Sequence, residues 1–157
     1  MTDPFADSSA ERGLALARLC LGAMFVWVFF ENYGKGLYTA AGYSKLIHFY
    51  IDTGHAPGLW KAVMASAADH AGLAAPVQAV VEASLGILLT LGLFTRPAAL
   101  VAGLFLASLW VSEWGTAWIW ELLVPTWVAF ALALGDAGRR WGLDARLARG
   151  NRGGLFR

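Results

Sequence analysis

The sequence predicts an all-α integral membrane protein: a bundle of four transmembrane helices with amphipathic interfacial helices on its outer side. Three observations predict it. Of 157 residues, 58% are hydrophobic and only 15% charged, against roughly 45–50% and about 25% in soluble domains. A soluble domain this small leaves too much area in water to hide that apolar excess. Four apolar stretches approach or reach the roughly 20 residues that cross a bilayer as helix, and none shows the period-2 alternation of a barrel strand. The basic residues, finally, are segregated between the connecting segments as the positive-inside rule describes.

The spans fall at about residues 14–30, 73–94, 97–114 and 118–135, within a membrane domain over 13–137. Residues 1–12 form a leader before the first span. That leader carries Asp3, Asp7 and Glu11 beside Arg12, unlike the basic start of a secretory signal, and no small-residue cleavage site precedes Glu31-Asn32. The first span therefore reads as a retained helix. Arg12, Arg96, Arg139, Arg140, Arg146, Arg149, Arg152 and Arg157 fall on the side of the termini, and Lys35, Lys45 and Lys61 on the other. Both termini are expected in the cytoplasm, with the chain a multi-pass protein of the cell membrane. The second and third spans are joined by Thr95-Arg96-Pro97 alone, which predicts a tight hairpin with Pro97 in the first turn of the next helix.

The outer segment, 31–72, carries two helical stripes. Tyr43, Leu46, Ile47 and Tyr50 recur at i, i+3, i+4 and i+7; after the breaker Gly54–Gly58 follow Leu59, Trp60, Val63, Met64 and Ala67. Both are too short to span and amphipathic enough to lie on the interface or cap the bundle. The tail, 138–157, is basic and suits a solvated or headgroup-facing end.

Ionisable residues inside a span are costly, by at least about 2.5–3.5 kcal/mol on insertion scales. Arg18 lies about one turn inside the first span. It either snorkels to the headgroups or serves a bound group. Glu82 sits too deep in the second span for a short side chain to reach water, on a face with Ala79, Ala83, Gly86 and Thr90. Small residues mark helix contact, so Glu82 is expected to point into the bundle. It either locks the packing or handles protons or a ligand. Glu113 and Glu121 flank the outer turn Trp114–Ala117, where Trp110, Trp114, Trp118, Trp120 and Trp127 cluster. These indoles form either an interfacial belt or the wall of a site. Pro125 deprives the Glu121 carbonyl of its helical partner.

Together these residues predict an outer-half pocket with Glu82, Glu113 and Glu121 as the reactive carboxyls. Trp110, Trp114, Trp118, Arg18 and Lys35 are the candidate binding residues. Aromatic walls with few polar groups suit a planar amphipathic ligand such as a quinone, whose proton exchange a carboxyl could carry. The lysines could draw a small oxyanion to the outer surface. No metal site is expected, because His48, His55 and His70 lack ligand spacing. A net charge of +1 argues against nucleic acid, and one cysteine, Cys20, excludes an intrachain disulfide. Membrane lipid is an expected partner, and the sequence is compatible with a homo-oligomer.

Several motifs resemble those of the DoxX/DoxD family. They are Arg18-x-x-x-Gly22 with Gly34-Lys35, Glu82-x-x-Leu85-Gly86 running into Gly92-Leu93-Phe94-Thr95-Arg96-Pro97-Ala98, and Gly138-Arg139-Arg140-Trp141-Gly142-Leu143-Asp144. The last, with the tryptophan-rich fourth span, is similar to the DoxD branch. That resemblance implies a membrane subunit of a thiosulfate:quinone oxidoreductase, acting with a second protein subunit and passing electrons to quinone. The alternative is a non-enzymatic membrane anchor or scaffold for a thiol or oxidative-stress complex. A small-molecule carrier fits less well, since no inverted repeat is visible.

Overall fold

The computed structural model describes residues 6–150 apart from Asp136 and Arg139. Residues 1–5 of the expected leader, and Arg139, Arg152 and Arg157 of the expected basic tail, lie outside the described residues. All regular structure among the described residues is helical: α1 (Ala6–Gly34), α2 (Ala40–Thr53), α3 (Gly58–Asp69), α4 (Ala71–Leu91), α5 (Thr95–Ser112), α6 (Ile119–Leu134) and α7 (Leu143–Gly150). Three of these, α1 from Ser9, α4 and α5, are long and apolar enough to cross a membrane. The fourth apolar helix, α6, has 16 residues, about 24 Å at 1.5 Å per residue, and is shorter than an ordinary span.

The helices associate as two pairs, α1 with α4 and α5 with α6, joined by fewer contacts between the pairs. The α1–α4 crossing is close because glycines sit on both sides of it. A Cβ on Gly22 would lie 2.7 Å from the Thr90 backbone nitrogen, and one on Gly86 would lie 3.2 Å from the Val26 nitrogen. This is the small-residue packing that membrane helices use in place of a hydrophobic driving force. Leu21, Phe25, Leu85, Leu89, Leu106 and Leu132 fill the space between the pairs. On the outside, Trp27, Phe30, Val80, Ile87, Leu104, Val124 and Trp127 are exposed, an apolar surface that lipid would cover.

Helices α2 and α3 lie across one end of the bundle, called here the cap end, and form a second core from Tyr43, Ile47, Met64, Ala68 and Ala75. Thr39 starts α2 by accepting from the Gly42 amide. Lys61 of α3 donates to the carbonyls of Ile51 and Gly54 at 2.6 and 2.9 Å, so its cation satisfies the end of α2. The breaker between α2 and α3 docks on the α5–α6 turn, where the His55 amide donates to the Trp114 carbonyl at 2.6 Å. Trp60 Nε1 ties α3 to α5 by donating to Ser112 Oγ at 2.9 Å.

Element limits differ from the sequence expectation in physically simple ways. The leader is helical from Ala6, so α1 begins well before residue 14. Helix α4 stops at Leu91 because Gly92 adopts the left-handed conformation, with φ 63°. Helix α5 ends at Ser112, leaving Glu113 as its cap. Pro125 is accommodated inside a continuous α6.

Candidate functional site

The gap between the helix pairs opens at the cap end into a cavity of about 990 Å³, roofed by α2 and α3. Glu82 is at its α1–α4 wall and is 1% exposed. Oε2 of Glu82 accepts from Asn32 Nδ2 at 3.1 Å and from Tyr38 Oη at 2.5 Å. Gln78 Nε2, one turn earlier on α4, donates to Oε1 at 2.8 Å. These three donors are uncharged, so the carboxyl is held by hydrogen bonds and not by an ion pair. Tyr38 is brought there by the 35–39 connection and by stacking of its ring on Phe29, with centroids 5.3 Å apart. Burial, and then the adjacent Glu82 carboxyl, push the Tyr38 phenol above its ordinary range, so it remains a hydrogen-bond donor.

Glu113 and Glu121 line the same cavity from the α5–α6 side. Glu113 is half-buried and Glu121 exposed. Burial raises the Glu113 carboxyl above the usual carboxylate range, and the nearby Glu121 charge adds to this, while a hydrogen bond from Tyr50 opposes it. Tyr50, in the roof, is pushed up in turn, chiefly by burial and then by Glu113. The remaining wall is aromatic and aliphatic, with Phe25, Tyr43, Trp60 and Phe105 foremost. Lys35 reaches the rim, where it pairs with Glu31 at 2.6 Å on an exposed face.

The structure thus gathers the three carboxyls and Lys35 around one space but places the other candidates elsewhere. Trp110 and Trp114 stack on each other with centroids 5.9 Å apart, and Trp118 stacks on Trp120 at 4.9 Å. Trp114 and Trp118 are largely exposed. None of Trp110, Trp114 and Trp118 is among the lining residues; Trp60 of α3 is the indole that lines the cavity.

Arg18 is at the opposite end of the bundle, fully buried, and does not snorkel outward. Its Nη1 donates to the Leu89 carbonyl at 3.1 Å, and its Nη2 to the carbonyls of Arg140 and Trp141 at 3.4 and 3.2 Å. Its guanidinium therefore closes the end of α4 onto the chain after α6. Asp144 completes this closure: Oδ1 accepts from the Phe94 amide and Oδ2 from the Thr95 amide, both at 2.8 Å. A carboxylate on the first amides of α5 is a cap supplied from a distant part of the chain. Neither Asp144 in this role nor Asn32, Tyr38 and Gln78 as the partners of Glu82 is among the sequence expectations. Gln78 could have been found from its i, i+4 spacing to Glu82, whereas Asn32 and Tyr38 depend on where the chain returns after α1.

A family model described as DoxX matches residues 13–114, 102 of the chain's 157 residues. The chain belongs to the DoxX family. The matched region of this DoxX membrane protein contains Arg18, Glu82, Glu113 and the Gly92–Pro97 turn, and it stops before α6. No curated protein and no solved structure matches the chain.

Proposed function

We propose that this DoxX protein is the membrane subunit of a quinone-linked oxidoreductase, with a reduced sulfur compound such as thiosulfate as the electron source. One observation carries the reading. A buried carboxyl, held by neutral donors, faces a cavity of about 990 Å³ with aromatic walls, a size and character suited to a flat, amphipathic small molecule. A bound quinone would accept electrons and protons at its ring oxygens. Tyr43, Trp60 and Phe105 would hold its ring, and the donors around Glu82 would orient a carbonyl. Glu82 would hold or release a proton at Oε1, which accepts from Gln78 alone among the described residues, and the roof of α2 and α3 would exclude bulk water. Glu113 and Glu121, near the α5–α6 turn, would exchange protons with the surface.

In the same reading α6 is the fourth span, with its shortfall met by local thinning of the bilayer. The arginine-rich terminal end faces the cytoplasm and the cap end the outside. A second protein subunit would deliver electrons at the cap end.

The test is quinone reduction by membranes or purified complex containing the full chain and its co-purifying partner, with thiosulfate as donor. Thiosulfate-dependent reduction that falls sharply in Glu82→Gln supports the proposal. An unchanged rate in Glu82→Gln removes Glu82 from the mechanism. A stable complex with no turnover favours the membrane-anchor role instead.

A further inference from the structure

A second recess, of about 630 Å³, lies at the terminal end, far from Glu82. Its lining combines Thr90 and Leu91 of the last turn of α4 with Arg140, Trp141, Gly142 and Arg146. Thr90 and Leu91 are exposed on a spanning helix, so this wall meets lipid. Arg146 is exposed on α7. Arg140 is partly exposed, binds Glu11 through Nε at 3.0 Å, and lines the recess as well.

The recess is a built feature. Trp141 adopts a left-handed backbone, with φ 53°, which is unfavourable for a bulky residue. It is held there because the carbonyls of Arg140 and Trp141 both accept from buried Arg18. The Asp144 amide donates to the Gly92 carbonyl at 2.9 Å, and its carboxylate is already taken by two amides of α5. The acidic group nearest Arg146 in sequence is therefore turned away from the recess. Meanwhile Trp141, 62% exposed, lines the recess with the two arginines, and tryptophan is a residue that favours the headgroup region.

We infer that this recess binds the phosphodiester headgroup of one anionic phospholipid. Arg146 and Arg140 receive the phosphate, the Trp141 ring covers the glycerol region, and Leu91 with the exposed face of α4 meets the start of an acyl chain. Basic pockets at the ends of membrane helices bind anionic headgroups in this way, and an arginine fork matches phosphate geometry.

The experiment is native mass spectrometry of the purified full-length chain in mild detergent, titrated with phosphatidylglycerol or phosphatidylcholine. One phosphatidylglycerol is expected to bind saturably and in preference to phosphatidylcholine. Arg146→Gln should weaken it about tenfold, the equivalent of one charge-assisted hydrogen bond. Arg140→Gln should weaken it similarly. Arg12→Gln, an exposed arginine of α1 outside the recess, should leave it unchanged. Equal binding of the two lipids, or equal loss in Arg12→Gln and Arg146→Gln, would overturn the site in favour of diffuse surface attraction. Displacement of the lipid by an equal concentration of glycerol phosphate would overturn the lipid assignment and leave a soluble phosphate ligand in its place.

Discussion

The closure of the terminal end gives a sharp quantitative expectation, carried by Gly92 and Arg18. Gly92 has φ 63°, and a Cβ there would lie 1.7 Å from Arg18 Nη1 and 2.6 Å from the Gly142 Cα. Gly92→Ala therefore incurs the left-handed backbone penalty, about 1–2 kcal/mol. It also displaces a guanidinium whose bond to the Leu89 carbonyl is worth about 1.5–3 kcal/mol as a charged hydrogen bond. The expected loss is about 2.5–5 kcal/mol. Arg18→Ala takes the donor from the Arg140 and Trp141 carbonyls and one of two donors from the Leu89 carbonyl, which keeps the Gly92 amide, and should cost at least about 2 kcal/mol, at about 1–3 per unsatisfied group. With Arg18 absent the clash on its guanidinium vanishes. The double variant should then fall short of additivity by about 1.5–3 kcal/mol. Equilibrium unfolding of the four proteins in mixed micelles with increasing sodium dodecyl sulfate, followed by tryptophan fluorescence, measures the cycle. Additivity within about 0.5 kcal/mol would refute a direct Arg18–Gly92 contact.

Three further expectations use the same assay, and a fourth reads melting temperature against pH. Asp144→Ala, which bares the Phe94 and Thr95 amides, should cost about 1–2 kcal/mol, as remote loss of a helix cap, and Asp144→Asn less. Glu82→Leu strands the donors of Asn32, Tyr38 and Gln78 and should cost about 2–4 kcal/mol, whereas Glu82→Gln keeps an acceptor and should cost about 1 kcal/mol. Trp60→Phe removes the bond to Ser112 and should loosen the roof by about 1 kcal/mol. For Glu113 the folded carboxyl binds its proton more tightly than the unfolded one. Its contribution is therefore full below the ordinary carboxylate range and is lost as pH rises through that range to the raised folded value. Glu113→Gln should flatten that decline, measured as melting temperature from pH 4 upward.

Much of the architecture was legible because the bilayer imposes a length and a composition on each crossing helix. The stripes Tyr43–Tyr50 and Leu59–Ala67 became α2 and α3 for the same reason: an apolar face of that length has one place to go. Gly86, on the small-residue face of Glu82, marked a helix contact, since small residues are what close packing in lipid requires. Glu82 was conspicuous because a carboxyl in a span must face inward. What stayed hidden depends on long-range return of the chain. Nothing local in Asp144 says that it caps α5 from 49 residues away, and nothing local in Tyr38 says that it closes on Glu82. The placing of the tryptophans was hidden for a related reason. A Trp cluster at a helix end suits both a belt and a pocket, and of the indoles none but Trp60 lines the cavity beside Glu82.

The central claim is that the cavity beside Glu82 holds a planar amphipathic ligand through that carboxyl and its donors. Its most direct test is titration of the purified full-length protein in nanodiscs with a short-chain quinone analogue, read by quenching of tryptophan fluorescence. The account predicts one saturable site, weakened about tenfold in Glu82→Gln, the equivalent of about 1.4 kcal/mol, and unchanged in Arg146→Gln. Binding of equal strength in Glu82→Gln, or no saturable binding by the native protein, would contradict it.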